Sequence, residues 1–376
     1  MSTAKFLLRR LLKQPRRAKG ARGFTLIELL ITMIVTFLII TPLLGLVTSF
    51  MTSDRQEQAK SSSQQEIQAA LDYMAQDMQQ AVYIYDATGL SATDGILNQI
   101  PPAGGAVAGC EAGECFPVLA FWKRKYLDKN DVINGLRIGD INDSSIRSDR
   151  FVYSLVVYYL IKDAPTNNSV WSPVARIGRF EIRDGIPDPT VDNPDPDNNA
   201  DYLLPPSAGF SPIPAISRSD TLRQTMNAWT KANATYNQPV DILVDYIDDT
   251  PVLDFPTVDN IRNRLTPPPN NATDTDGFLA ANGCATRFGI EEASRVPADN
   301  SSLAATTGSF YACVRPVNEL GQSVARVFIR GNALARLSNN PQSWAINGGN
   351  QVTQLNNRPI ANVLVSVRGL IGAGEE

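Results

Sequence analysis

The 376-residue chain contains no histidine. That absence removes the commonest general base, the usual activating partner of a nucleophile and the commonest metal ligand. Ser/His/Asp and Cys/His catalysis are therefore excluded, as is any zinc site that needs imidazole. Cysteine is scarce: only Cys110, Cys115, Cys284 and Cys313 occur. Their spacings fit neither a zinc ribbon nor a CxxC redox motif, and an even count suggests disulfides outside the cytoplasm. Of the possible connectivities, Cys110–Cys115 with Cys284–Cys313 is the simplest; buried free thiols are the alternative. Acid is missing from one place, since residues 1–23 carry eight Lys and Arg and no Asp or Glu. Beyond Gly23, 26 basic residues face 38 acidic ones, a net of −12. A body so acidic lacks the basic patch that nucleic-acid binding requires. Hydrophobic residues at 43% and charged residues at 19% are ordinary for a folded chain, so global disorder is not expected. The length suits two average domains or one α+β or all-β domain with insertions.

A long apolar run follows the basic leader. Phe24 to Met51 is 28 residues with one charge, Glu28, ample for a helix crossing about 30 Å of hydrocarbon. A secretory signal has a shorter apolar region ending in a small-residue cleavage site, and neither feature is present. The positive charges before the run should hold the N-terminus in the cytoplasm and place the body outside the inner membrane. Glu28 would cost about 2–3 kcal/mol at the bilayer centre and less at the interface. Either it stays hydrated near the cytoplasmic face, or a cation at membrane depth pairs with it.

The stretch Arg22-Gly23-Phe24-Thr25-Leu26-Ile27-Glu28 resembles the class III signal of type IV pilins and type II secretion pseudopilins. The resemblance implies that a membrane peptidase cuts after Gly23 and methylates the new N-terminal Phe24. The apolar helix then becomes the filament core, with Glu28 pairing the N-terminal amine of a neighbouring subunit. Two buried opposite charges are tolerable only as a pair. The implied partners are other pilins or pseudopilins, the prepilin peptidase and an inner-membrane assembly platform, with no nucleic acid. The implied location is the inner membrane, single-pass with a periplasmic head, and then a filament or the cell surface. A mature chain of 353 residues is similar in size to minor pilins and pseudopilins of the PilW or GspJ type. Ala325–Arg336 resembles a stretch of the cyanobacterial hormogonium polysaccharide-secretion pseudopilins.

Four segments are expected: a leader over 1–23, a membrane or filament-core helix over 24–51, its amphipathic continuation over 52–85 and a β-rich head over 86–376. Beyond Asp54, Ile67, Ala70, Leu71, Met74, Met78, Ala81 and Val82 form one apolar stripe, so the helix should run from Phe24 to about Tyr83, roughly 90 Å. Pro42, with Gly45 near it, should kink or loosen that helix. Seven strand-like runs follow at Phe116–Trp122, Phe151–Ile161, Val174–Ile182, Val240–Ile247, Phe310–Val314, Val324–Arg330 and Ile360–Arg368. The fold class is thus α+β, an antiparallel sheet packed on the long helix, with a loop and helix insertion at about 184–275. Residues 184–214 are rich in Pro, Asp and Asn and read as a mobile solvated loop. Asp192, Asp195, Asp197 and Asp201 are weak calcium candidates, as are Asp274 and Asp276, because no EF-hand spacing is present; otherwise no cofactor is expected. Ser219–Lys231 reads as a short helix capped by Ser219 or Asp220, and Asp259–Leu265 as another turn. The competing function is a membrane-tethered extracytoplasmic carbohydrate-binding or glycan-cleaving domain, since paired carboxylates can act without histidine. No such pair stands out in the sequence.

Overall fold

The computed structural model describes residues 25–133, 135–141, 148–163, 170–215, 220–249, 284, 293–297, 308–316, 322–338 and 357–368. Gly23, Phe24, the basic leader, Asp259–Leu265 and Asp274–Gly277 lie outside the described residues. The chain forms two compact units, Met1–Asp54 and Arg55–Glu376. In the first, the described residues after Thr25 belong to helix α1, Leu26–Gln79, which contains Pro42 and stays helical on both sides of it. By length and composition this helix can cross a membrane.

In the second unit, the last part of α1 buries Ile67, Ala70, Leu71, Met74 and Met78 in one cluster with residues of two sheets. The helix is shorter than the stripe suggested, for it stops at Gln79 and Ala81–Ile84 form strand β1. The run Ala-Val-Tyr-Ile continues the apolar period but has the branched and aromatic composition of a strand. The edge of the neighbouring strand captures it, with Ala81 opposite Lys123 and Ile84 opposite Phe121.

The first sheet is antiparallel in the order β1-β2-β5-β6-β9. Here β2 is Cys115–Leu127, β5 Arg150–Ile161, β6 Ala175–Arg183 and β9 Asp241–Ile247. Two small hairpins pair β3, Val132–Ile133, with β4, Leu136–Arg137, and β7, Ile186–Pro187, with β8, Tyr202–Leu204. The second sheet is also antiparallel, in the order β10-β11-β12-β13. Its strands are Ser294–Val296, Phe310–Arg315, Gln322–Arg330 and Ile360–Arg368. All seven expected strands are present, but they divide between two sheets. Gly331, just after β12, lets the helix approach: a Cβ there would lie 2.5 Å from Ile67 Cδ1 and 2.7 Å from Ser63 Oγ.

The Asp- and Pro-rich stretch is better organised than a solvated loop. Leu204 and Phe210 are fully buried, and Ile186 and Leu204 join Leu127, Ile138, Ile141 and Val152 in a small second core. Helix α2 is Leu222–Asn227, capped by Thr221 rather than by Ser219 or Asp220. Gln224, three residues on, returns a bond to the Thr221 backbone and completes a capping box. Trp229, just past the helix, packs edge-to-face on Trp122 at 5.6 Å, and Phe210 does the same at 5.7 Å. Disulfides join Cys110 to Cys115 and Cys284 to Cys313, with Cα separations of 5.1 and 5.6 Å.

Candidate functional site

The first turn of α1 places Glu28 where its backbone N–H meets Thr25 O at 3.0 Å and Thr25 Oγ1 at 3.3 Å. An acid in the first turn faces the positive end of the helix dipole. Among the described residues Glu28 makes no salt bridge. Beyond it the surface is apolar: Met33 and Phe37 are each 72% exposed, and Leu29, Leu38, Leu44 and Phe50 are exposed as well. The threonine hydroxyls on this stretch are satisfied within the helix. The hydroxyls of Thr32, Thr36, Thr41, Thr48 and Thr52 donate to carbonyls of Leu29, Thr32, Phe37, Gly45 and Thr48 at 2.7–2.9 Å. Such a surface has nothing to offer water and leaves no threonine hydroxyl to satisfy, as hydrocarbon or another apolar subunit surface requires. Pro42 lacks an N–H, so Leu38 O receives no helical donor from it.

A group of buried charged side chains lies in the unit Arg55–Glu376. Asp77, on the buried face of α1, accepts Lys123 Nζ at 2.5 Å, Arg179 Nε at 2.8 Å and Tyr158 OH at 2.9 Å. Glu181 on β6 takes Arg179 at 2.6 Å and Lys125 at 2.8 Å. Burial alone would raise the Glu181 carboxyl, but Arg179, Lys125 and Lys123 outweigh it and hold it down at about 2. Burial and Asp77 push the Tyr158 phenol well up. The sequence held one signal for this cluster: Asp77 stands three residues after Met74 and seven after Ala70, on the apolar stripe itself. An acid there needs partners.

Beside the cluster opens a polar cavity of about 570 Å³ lined by Lys125, Arg179, Glu181, Arg183, Ser207 and Asp241 among others. No Trp lines it; Trp122 and Trp229 are buried, and Trp171 is partly exposed elsewhere. A carboxyl held near 2 does not donate a proton at neutral pH, so Glu181 is unsuited to the acid role in glycoside cleavage.

The four calcium candidates of the Asp-rich stretch do not converge, and no group of three metal-ligating side chains occurs among the described residues. Asp197 accepts the N–H groups of Asn233 and Ala234 at 3.0 Å. Asp195 accepts from Asp197 N at 3.0 Å, and Asp201 from Asp195 N at 2.9 Å. Asp195 and Asp201 thus close local turns, Asp197 ties the stretch to residues 233–234, and burial of Leu204 and Phe210 anchors the segment they shape.

Residues 18–44 match the prokaryotic N-terminal methylation motif. No curated protein and no solved structure matches the chain. The motif match supports a type IV pilin-like protein processed at its N-terminus. With the apolar helix that follows, it supports an inner-membrane anchor.

Proposed function

We propose that the chain is a structural minor pilin or pseudopilin, a non-enzymatic subunit of a type IV pilus-like or type II secretion-like filament. The observation that carries this reading is the methylation motif over residues 18–44 running directly into a helix surface that is apolar and exposed. In this reading prepilin peptidase cuts after Gly23 and methylates Phe24. The head stands in the periplasm, and Glu28 receives the N-terminal amine of a neighbouring subunit as α1 leaves the membrane for the filament. The position of Glu28 at the head of an exposed apolar helix surface supports that role, because a carboxylate in an apolar surface gains several kcal/mol from a cation. Pro42 is the natural place for α1 to bend or loosen on assembly, since one backbone bond is already missing there. The large head suits a minor subunit of the PilW or GspJ type, and export of polysaccharide or protein is the service we assign to its filament.

Replacing Gly23→Ala should leave the uncut chain in the membrane and none in the filament, read by mass spectrometry of the N-terminus in purified filaments. A normally cut and methylated chain from that variant would overturn the assignment. Glu28→Ala should still be cut, but with impaired methylation or incorporation.

A further inference from the structure

The polar cavity beside the Asp77 cluster has a lining that the ion pairs alone do not explain. Among the described residues that line it, Arg183 is a cation that makes no salt bridge, although Asp184 and Glu181 act on it through space. Arg183 lies half-buried at the end of β6, and its Nη1 donates to the backbone carbonyls of Asp184 at 2.9 Å and Pro205 at 3.3 Å. Burial lowers its pKa, while Asp184 and Glu181 oppose that from a distance. A half-buried guanidinium bonded only to neutral carbonyls is relieved by an anion, which its planar fork can grip with two bonds.

The remaining lining is rich in groups that both give and accept hydrogen bonds. Ser207 Oγ already accepts from Arg183 N at 3.1 Å, which leaves its own hydroxyl to donate. Asn237 and Gln238 bring carboxamides and Asp241 a carboxylate, and no aromatic ring lines the space. Of the two lining acids, Glu181 is neutralised by its ion pairs. Counting those pairs and the Asp184 carboxylate beside Arg183, four cations, Lys123, Lys125, Arg179 and Arg183, face four carboxylates, Asp77, Glu181, Asp184 and Asp241, so the surroundings are close to neutral and Arg183 is the cation among them that makes no salt bridge. At about 570 Å³ the cavity falls in the size range of small-ligand sites.

We infer that this cavity binds a small hydroxylated acid, of the chemical class of a uronic-acid sugar unit. Arg183 holds the carboxylate, while Asn237, Gln238, Ser207 and Asp241 read the hydroxyls. The inference stands apart from filament assembly, because every residue it uses lies in the unit Arg55–Glu376; the Gly23→Ala chain should bind as the parent does.

The test is calorimetric titration of the full chain in detergent with D-glucuronate, D-glucose and inorganic phosphate. Glucuronate should bind at least about tenfold more tightly than either of the others, and Arg183→Gln should remove about tenfold or more of that affinity. Asn237→Asp, an exposed substitution that adds a negative charge to the lining, should weaken glucuronate by a similar factor with an unchanged thermal unfolding curve. If Arg183→Gln does not fold, Asn237→Asp decides the matter alone. Glucuronate binding no better than glucose, phosphate matching glucuronate, or parental affinity in the folded variants would each overturn the inference.

Discussion

The two ends of helix α1 are built from similar apolar residues and treat them in opposite ways. Phe37 is 72% exposed, whereas Leu71 and Met74 are fully buried by the sheets of their own chain. The polar groups differ in the same sense. Threonine hydroxyls near the start fold back onto the helix, while Asp77 near the end reaches across to Lys123, Arg179 and Tyr158. One end is complete within the chain; the other needs lipid or another molecule to cover it. A single helix can thus serve two solvents because its partners change along its length.

The sharpest way to break this contrast is at its charges. Asp77→Ala leaves Lys123, Lys125 and Arg179 to share Glu181 alone in a buried site and should lower head stability by about 3 kcal/mol, measured by denaturant unfolding of the full chain in detergent. Glu28→Ala should move the same transition by less than about 0.5 kcal/mol, and equal effects would erase the distinction. Next come the apolar positions. Leu71→Ala should cost about 3–4 kcal/mol as a cavity opens between helix and sheets, whereas Leu38→Ala should leave head unfolding unchanged.

Acid probes the ion cluster more gently. The Glu181 carboxyl is depressed from 4.5 to about 2 in the fold. Its stabilisation is present above about 4.5 and is lost as pH falls towards 2, a change of up to about 3 kcal/mol. Asp184 works the other way. Burial raises it to about 6, against the pull of the Gly185 N–H and Arg183, so its cost is present at neutral pH and relieved as pH falls through 6 to its unfolded value. Stability should therefore rise from pH 7 to about pH 4.5 and fall below it, and Asp184→Asn should flatten the rise. The smallest contrast is between the disulfides, which span sequence separations of 29 and 5. Replacing both cysteines of Cys284–Cys313 by Ser should cost about 3.5 kcal/mol and of Cys110–Cys115 about 2 kcal/mol, from loop length alone.

Much of the fold could be read from runs of residue types. Phe151–Ile161 and Val324–Arg330 are branched and aromatic stretches bounded by turn formers, and they are strands. Which strand pairs with which could not be read, because pairing is set by contacts distant in sequence; the division into two sheets escaped for that reason. Ala81–Ile84 misled because four residues fit the helical period and the strand period equally well, and the exposed edge of β2 decided between them. Thr221 was legible through Gln224 three residues later, a capping signature stronger than the neighbouring Ser219 and Asp220. At the start of the chain, the run that holds Gly23, Phe24 and Glu28 was legible as a signal, and it lies inside the residues 18–44 that match the N-terminal methylation motif. The cavity was not, since Lys125, Arg183, Ser207 and Asn237 come from separate strands and loops that only the folded chain brings to one place.

Helix α1 is fastened to its head at two levels. Arg336 grips Glu66, and Lys123 and Arg179 grip Asp77. The two acids are eleven residues apart, about 16 Å along the axis. The two fastenings are unequal, since Asp77 is buried and Glu66 is half in solvent, and the apolar face from Ile67 to Met78 that lies between them bears most of the hold.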